Sequence, residues 1–581
     1  MFQSIRRLVS DSLRPFAEAS DKCNLLDSIL IETPSDPSFG DIYTNAAMCS
    51  AKELKVAPKV LARSIANSFE KCTFIDKVSI VDPGFVNLTL KNEFWHSVIN
   101  EILNKGEKFS ITNLKNGEAI NVEFVSANPT GPLHTGHARN AVFGSAASNL
   151  LEKIGYSVTR EFYINDKGNQ IKFLAKSLYL RYLEILGHEI SEADFGADMY
   201  CGEYIKDLAK QLLDTYQNKF VGLDEPEWIA ELSKFAVEKM VNGIKNDLKS
   251  IMVTMDRYTS EAEVCRQNLV EEALELLSKR GDIYEGILPK PKGIEDDDEW
   301  EERPQTLFKS TKYGDSIDRA IKKADGTWTY FAGDIAYHLD KIRRGYKKLV
   351  TVFGADHGGY VKRLKAAVYA LSNGEVELEV RLYQLVNFLE RGKPIRMSKR
   401  TGNFIRLRDV IDKVGIDVSR YMMISRHHDV MIDFDFERAI ECSMENPLFY
   451  IQYAYARICS VFKHYTEVFG DIHDDTLREC DVSSLTDPSE LSMLKALSFW
   501  PERVKAAACT IEPHRVPICL QEIARAFHSL WNSGKQNTEL RFVSTNNKSL
   551  TVARLSLLLA TKIVLGDGLK IMGIIPMSEM R

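Results

Sequence analysis

Residues 120–137 read Ile-Asn-Val-Glu-Phe-Val-Ser-Ala-Asn-Pro-Thr-Gly-Pro-Leu-His-Thr-Gly-His. The first six are a short β-prone run, Asn128 to His134 is a Pro/Gly-rich loop, and a helical pattern extends from Gly136 to Ile154 before a second strand-like run, Val158 to Tyr163. Strand, loop, helix and strand in that order predict a βαβ unit of a parallel sheet. The chemistry suits a nucleotide. Gly136 lets backbone approach a phosphate, the helix that follows points free N–H groups at anions, and His134 and His137 can donate to phosphate oxygens. A Pro/Gly loop with two incidental histidines is the plainer alternative, and a metal reading of His134-x-x-His137 lacks further ligands nearby.

Outward from this stretch the α/β pattern stops and resumes. A helix is predicted around Tyr330–Ile342, then strand Leu349–Phe353, turn Gly354–Gly359 and a helix from Tyr360. The predicted fold is therefore a split doubly wound, Rossmann-like parallel sheet over residues 118–435, interrupted by a charged, mostly helical insertion at about 170–320. The acidic tract Glu295–Glu302 inside it reads as a solvated loop. Residues 1–110 predict an N-terminal α+β domain: a first helix, a helical stretch Tyr43–Phe69, and strands Lys77–Val81 and Phe85–Leu90 around a Pro-Gly turn. Residues 436–581 carry only 3.6-residue periodicity and predict an all-α helical bundle.

A second basic loop, Pro394-Ile-Arg-Met-Ser-Lys-Arg-Thr-Gly402, follows the second α/β unit. Ser398 and Lys399 could hold the negative charge that migrates when a triphosphate is displaced at its α-phosphate. Alone it could be a solvated turn; paired with the first loop, in this order, the functional reading is preferred. No Walker-type loop and no G-x-G-x-x-G after a strand is present, which argues against P-loop and dinucleotide enzymes.

The 581-residue chain is 44% hydrophobic and 27% charged, ordinary for a globular protein of several domains. Its net charge of −6 hides an asymmetry: residues 515–581 hold nine Lys/Arg and four Asp/Glu, a basic end on an acidic body. Ten scattered cysteines without a C-x-x-C pair predict no zinc, no structural disulfide and a reducing, cytoplasmic setting. No secretory signal or membrane span is expected.

Taken together, the two loops resemble the paired signatures of class I aminoacyl-tRNA synthetases. Several strings resemble the arginyl family: VEFVSANPTGPLHTGHARN (122–140), DGTWTYFAGDIAYHLDKIRRG (325–345), GADHGGYVKR (354–363), MSKRTGNF (397–404) and NPLFYIQYAYARI (446–458). The likeness covers nearly the whole chain. One departure is Arg396, where the second signature usually begins with lysine; the charge is kept, but as a planar fork rather than a point.

The resemblance implies an arginine–tRNA ligase. Arginine attacks the α-phosphate of ATP to form arginyl-adenylate, and a terminal ribose hydroxyl of tRNA(Arg) takes the arginyl group, releasing AMP. It implies His134, Gly136, His137 and Lys399 as catalytic. The nucleotide wall would be Ala127, Asn128, Pro129, Thr130, Gly131, Pro132, Leu133, Thr135, Met397 and Ser398, with Mg²⁺ carried by the ATP phosphates. A guanidinium calls for a carboxylate that accepts parallel hydrogen bonds. Asp334 is the candidate, with Tyr330 four residues away on the same helical face, and Glu123 and Asn128 hold the amino and carboxylate ends. The bland alternative pairs Asp334 with Lys341 or a nearby arginine on a helix surface. Asp356 and His357 are possible further contacts. Tyr453, Trp531 and Met580 are candidates to meet the anticodon, although aromatics at helical spacing more often pack. A monomer and a first step that needs tRNA are further expectations. Competing readings are a silent tRNA-binding paralogue, a cysteinyl or glutamyl ligase, and a small-molecule adenylating ligase.

Overall fold

The computed structural model describes residues 2–16, 31–34, 36–288, 304–323, 325–395 and 405–580. The quoted run forms β1 (Ala119–Glu123), with all but its first residue buried. A strand covered on both faces reads as a continuous apolar run rather than an alternating one. β1 is the middle of a five-stranded sheet with β2 (Ser157–Ile164), β3 (Arg257–Ser260), β4 (Lys348–Gly354) and β5 (Glu377–Tyr383). The order is β5-β4-β1-β2-β3 and every pairing is parallel. The chain winds one way from β1 to β3 and the other way from β4 to β5. The order therefore reverses between β1 and β4, and a crevice opens at their C-terminal ends, where ligands of such sheets bind.

Helix α1 (Thr135–Lys153) follows β1 and has 14 of its 19 residues buried, so it is enclosed rather than amphipathic. It approaches the sheet closely because Gly144 has no side chain: a Cβ there would lie 2.1 Å from the Phe124 ring. α2 (Tyr330–Arg343) and α3 (Val361–Ser372) flank β4 as the sequence predicts.

Two expectations need correction. The region read as an insertion over 170–320 supplies β3, which pairs with β2 at the sheet edge, so Arg257–Ser260 belongs to the catalytic sheet. That short strand, bracketed by charged helices, has too little pattern of its own to be recognised. Tyr43–Phe69 is not one helix: Ile42–Thr44 is a strand, and helices Ala46–Leu54 and Pro58–Phe69 are separated by Lys55 in the left-handed region and by Pro58 at a helix start. The acidic tract Glu295–Glu302 lies outside the described residues.

After the strand Ile432–Asp435 the described chain is helical. Its longest elements are α4 (Pro447–Phe469), α5 (Arg515–Gln536) and α6 (Lys548–Ile571). α6 is long and apolar enough to cross a membrane, but 72% of its apolar window is buried inside the protein, so it is the core helix of the bundle. One buried polar node joins all three regions. Asp567 on α6 accepts from Ser110 at 2.6 Å and from the Trp500 indole at 2.8 Å, and pairs with Lys153 at the end of α1 at 2.5 Å. Nearby, the buried Arg420 donates to the Met572 and Ile251 carbonyls and to Ser145 of α1.

Candidate active site

β1 ends in a backbone that is costly to hold. Val125 and Ser126 sit at φ 70° and 38°, positive values unusual for residues with a Cβ and severe for a β-branched one. Two bonds hold it there. The Val125 N–H donates to Asn140 Oδ1 of α1 at 2.9 Å, and the Ser126 hydroxyl donates to Glu123 at 2.9 Å. The chain is thereby turned out of the sheet and into the loop that starts α1.

His134 is the N-cap of α1. Its Nδ1 accepts the Gly136 N–H at 3.0 Å, and His137 Nδ1 accepts the His134 N–H at 3.3 Å. Because Nδ1 accepts in both rings, each neutral imidazole carries its proton on Nε2. The rings lie 3.9 Å apart, centroid to centroid. Gly136 is demanded by this arrangement: a Cβ would lie 2.7 Å from His134 Cε1. The two histidines, Gly136 and the helix N-terminus thus form one face, as the sequence predicts. Among the remaining loop residues Ala127, Pro129, Leu133 and Thr135 are buried or nearly so, Thr130, Gly131 and Pro132 are half-buried, and Asn128 is exposed and donates to Gln170 at 2.9 Å.

Arg396, Met397, Ser398 and Lys399 lie outside the described residues. The chain just beyond them is tied to the first loop: Thr135 N–H donates to the Ile405 carbonyl at 3.1 Å and Leu407 N–H to the Leu133 carbonyl at 2.9 Å. Residues 133–135 and 405–407, distant in sequence, are therefore bonded neighbours.

The other end of the crevice is acidic. Asp334, on the first turns of α2, receives a hydrogen bond from the Tyr360 hydroxyl. Lys341 pairs with Glu123 at 2.6 Å, both buried, so the bland alternative of an Asp334–Lys341 pair is not what forms. Tyr330 is 68% exposed at the mouth. Glu261, which the sequence reading missed, heads the helix after β3. Its Oε1 would lie 3.9 Å from a Cβ on Gly333, which places it against α2 one residue from Asp334. Among the described residues neither Asp334 nor Glu261 forms an ion pair. Burial pushes the Asp334 carboxyl up to about 7, against the Tyr360 hydrogen bond and with help from Glu123 and Glu261. Burial likewise pushes Glu261 up to about 7, opposed by Lys167. Only position could have revealed Glu261, since its neighbour Ser260 ends the unrecognised β3.

Three regions of the chain match family profiles in sequence order. Residues 3–90 match the arginyl tRNA synthetase N terminal domain, 98–446 the class I (R) tRNA synthetase catalytic domain, and 451–580 the DALR anticodon binding domain. The chain is 45% identical over 583 residues to the arginine–tRNA ligase of Roseobacter denitrificans, covering 100% of both. The chain belongs to the arginyl-tRNA synthetase family. The corresponding ligase of Parvibaculum lavamentivorans is 45% identical over 557 residues, 96% of this chain and 95% of that one. The arginyl-tRNA synthetase structure of Thermus thermophilus shares the fold with a TM-score of 0.73 at 18% identity, over the whole of both chains.

Tyr453 and Trp531 are half-buried and bracket one cation: the Arg457 guanidinium lies 4.0 Å from the Tyr453 ring and 4.6 Å from that of Trp531. Met580 is half-buried after α6. Asp356 and His357 are exposed and face each other at 3.6 Å rather than reaching the acidic pocket.

Proposed function

We propose that the crevice between β1 and β4 holds both substrates of arginine activation, with ATP at the start of α1 and the arginine side chain at Asp334 and Glu261. The reaction of this enzyme is ligation of arginine to tRNA(Arg), driven by ATP. The observation that carries the site assignment is a pair of shielded carboxylates, Asp334 and Glu261, with no ion-pair partner among the described residues. A guanidinium is permanently charged and planar and offers five donors, so it neutralises two such acids at once. Tyr330 closes the mouth. Glu123, already held by Lys341 and Ser126, keeps acceptor capacity for the α-amino group, with Asn128 beside the carboxylate.

At the other end, Nε2–H of His134 and His137 and the α1 N-terminus stabilise the triphosphate as charge moves toward pyrophosphate, a role that Lys399 shares by its family resemblance. Magnesium enters on the phosphates. Catalysis here is positioning and charge stabilisation; no group of the chain forms a covalent bond. The adenylate then passes its arginyl group to tRNA, whose anticodon end meets the bundle near Tyr453, Trp531 and Met580. The enzyme works as a monomer in a reducing compartment, a setting its nine described cysteines, all free, are suited to.

ATP–pyrophosphate exchange with each of the twenty amino acids, with and without tRNA, tests this reading. Exchange with arginine alone, and only with tRNA present, is the expected result. Exchange with arginine regardless of tRNA discards the coupling, and exchange with another amino acid overturns the pocket.

A further inference from the structure

We infer that Tyr360 is a positioning residue for arginine selection: its hydroxyl holds one oxygen of Asp334, leaving the other aimed at the guanidinium. This rests on the reading of Asp334 as the guanidinium acceptor. Tyr360 closes the 354–360 turn after β4, a motif whose role the sequence leaves open, and it is the member of that turn that reaches the pocket. Its hydroxyl donates to Asp334 Oδ2, and its ring packs edge-on against Phe331 of α2 at 6.1 Å. The Arg363 guanidinium lies 5.0 Å from the Tyr360 ring centroid.

The hydrogen bond does two things. It fixes the rotation of the Asp334 carboxylate, which must be set before a planar fork can dock on it. It also favours the charged form of an acid that burial disfavours. The groups facing Asp334 are Tyr360, Glu123, Glu261 and Lys341, and Asp334 in turn bears on the Tyr163 hydroxyl. Two of these neighbours are acids, and Lys341 is engaged by Glu123, which makes the Tyr360 hydroxyl the one donor bonded to the carboxylate among the described residues. Arg319 and Arg363 face Tyr360 itself.

The test is Tyr360→Phe, which keeps the ring and its packing and removes only the donor. In tRNA-supported exchange the KM for arginine should rise by about tenfold or more, the loss of a hydrogen bond to a charged group, with the KM for ATP unchanged. The acid limb of kcat/KM for arginine should move to higher pH, because Asp334 without its donor takes up a proton more readily. Adding Tyr360→Phe to Asp334→Asn should have no further effect, since the hydroxyl acts through that carboxylate. An unchanged arginine KM and pH profile in Tyr360→Phe, beside a crippled Asp334→Asn, overturns the role of Tyr360 and leaves the pocket standing. An Asp334→Asn enzyme with the ordinary arginine KM removes the pocket reading itself. A Tyr360→Phe enzyme that melts lower but keeps its arginine KM shows a packing role only and also overturns the inference.

Discussion

Glu161 on the sheet and Asp334 on α2 are both acids shielded from solvent, and the structure treats them in opposite ways. Glu161 on β2 is fully buried, pairs with Arg344 at 2.8 Å, and accepts from Asn121 at 2.6 Å and Thr259 at 2.5 Å. Burial pushes its pKa up, but Lys341, Arg344 and the Thr259 hydroxyl outweigh it and hold the group at about 2. Among the described residues Asp334 and Glu261 have no paired cation, and both are held near 7. A buried charge supplied with its own counter-charges is scaffold; a buried charge left without them is built for a ligand that brings one.

The largest expected effect is at the ligand site. Asp334→Asn should lower kcat/KM for arginine by about 10²–10³-fold, the cost of removing one partner of a desolvated charge pair. Its unliganded melting temperature should hold or rise, since an uncompensated acid has gone. Glu161→Gln should do the reverse. Differential scanning should show a destabilisation of about 2 kcal/mol, because Arg344 loses its bond to Glu161 and keeps only Asp340, while the folded fraction keeps its arginine KM.

The pH dependence separates the two acids further. Glu161 is depressed in the folded chain, so its stabilisation is present above the unfolded glutamate value and is lost as pH falls toward 2. Asp334 and Glu261 are raised. An unfolded chain releases those protons near 4 and the folded chain near 7, so unliganded stability should decline across that window and level off above it. Saturating arginine should therefore raise the melting temperature more at pH 8 than at pH 6, and kcat/KM for arginine should fall by about tenfold per pH unit below 7. A thermal shift that is equal at both pH values would break the comparison. The smallest effect is expected at Asp567, another acid supplied with partners: Asp567→Asn should cost roughly 1–2 kcal/mol of stability, read by denaturant titration, because Ser110 and Trp500 can still bond the amide.

Legibility in the sequence followed the range of the interaction. The β1–loop–α1 unit was readable because strand run, Pro/Gly loop and helix adjoin, and Tyr330 and Asp334 could be placed on one face by their spacing. Glu261 was not readable, since its place depends on β3 joining the sheet edge, a pairing between residues about 95 apart. The true partner of Lys341 was not readable for the same reason: helical spacing puts it near Asp334, and only the sheet brings Glu123 to it. Tyr360 read as the start of a helix, and only its packing against α2 gives its hydroxyl a target.

The central claim is that the acidic pocket lacks a cation until arginine supplies one. Calorimetric titration at pH 8 with L-arginine and with L-citrulline, its neutral isostere, tests this most directly when run on the wild type, Glu261→Gln and Glu161→Gln. Arginine should bind the wild type and folded Glu161→Gln alike, bind Glu261→Gln far more weakly, and outcompete citrulline by about 10²-fold or more. Equal binding of arginine and citrulline, or a loss in Glu161→Gln matching that in Glu261→Gln, would contradict the account.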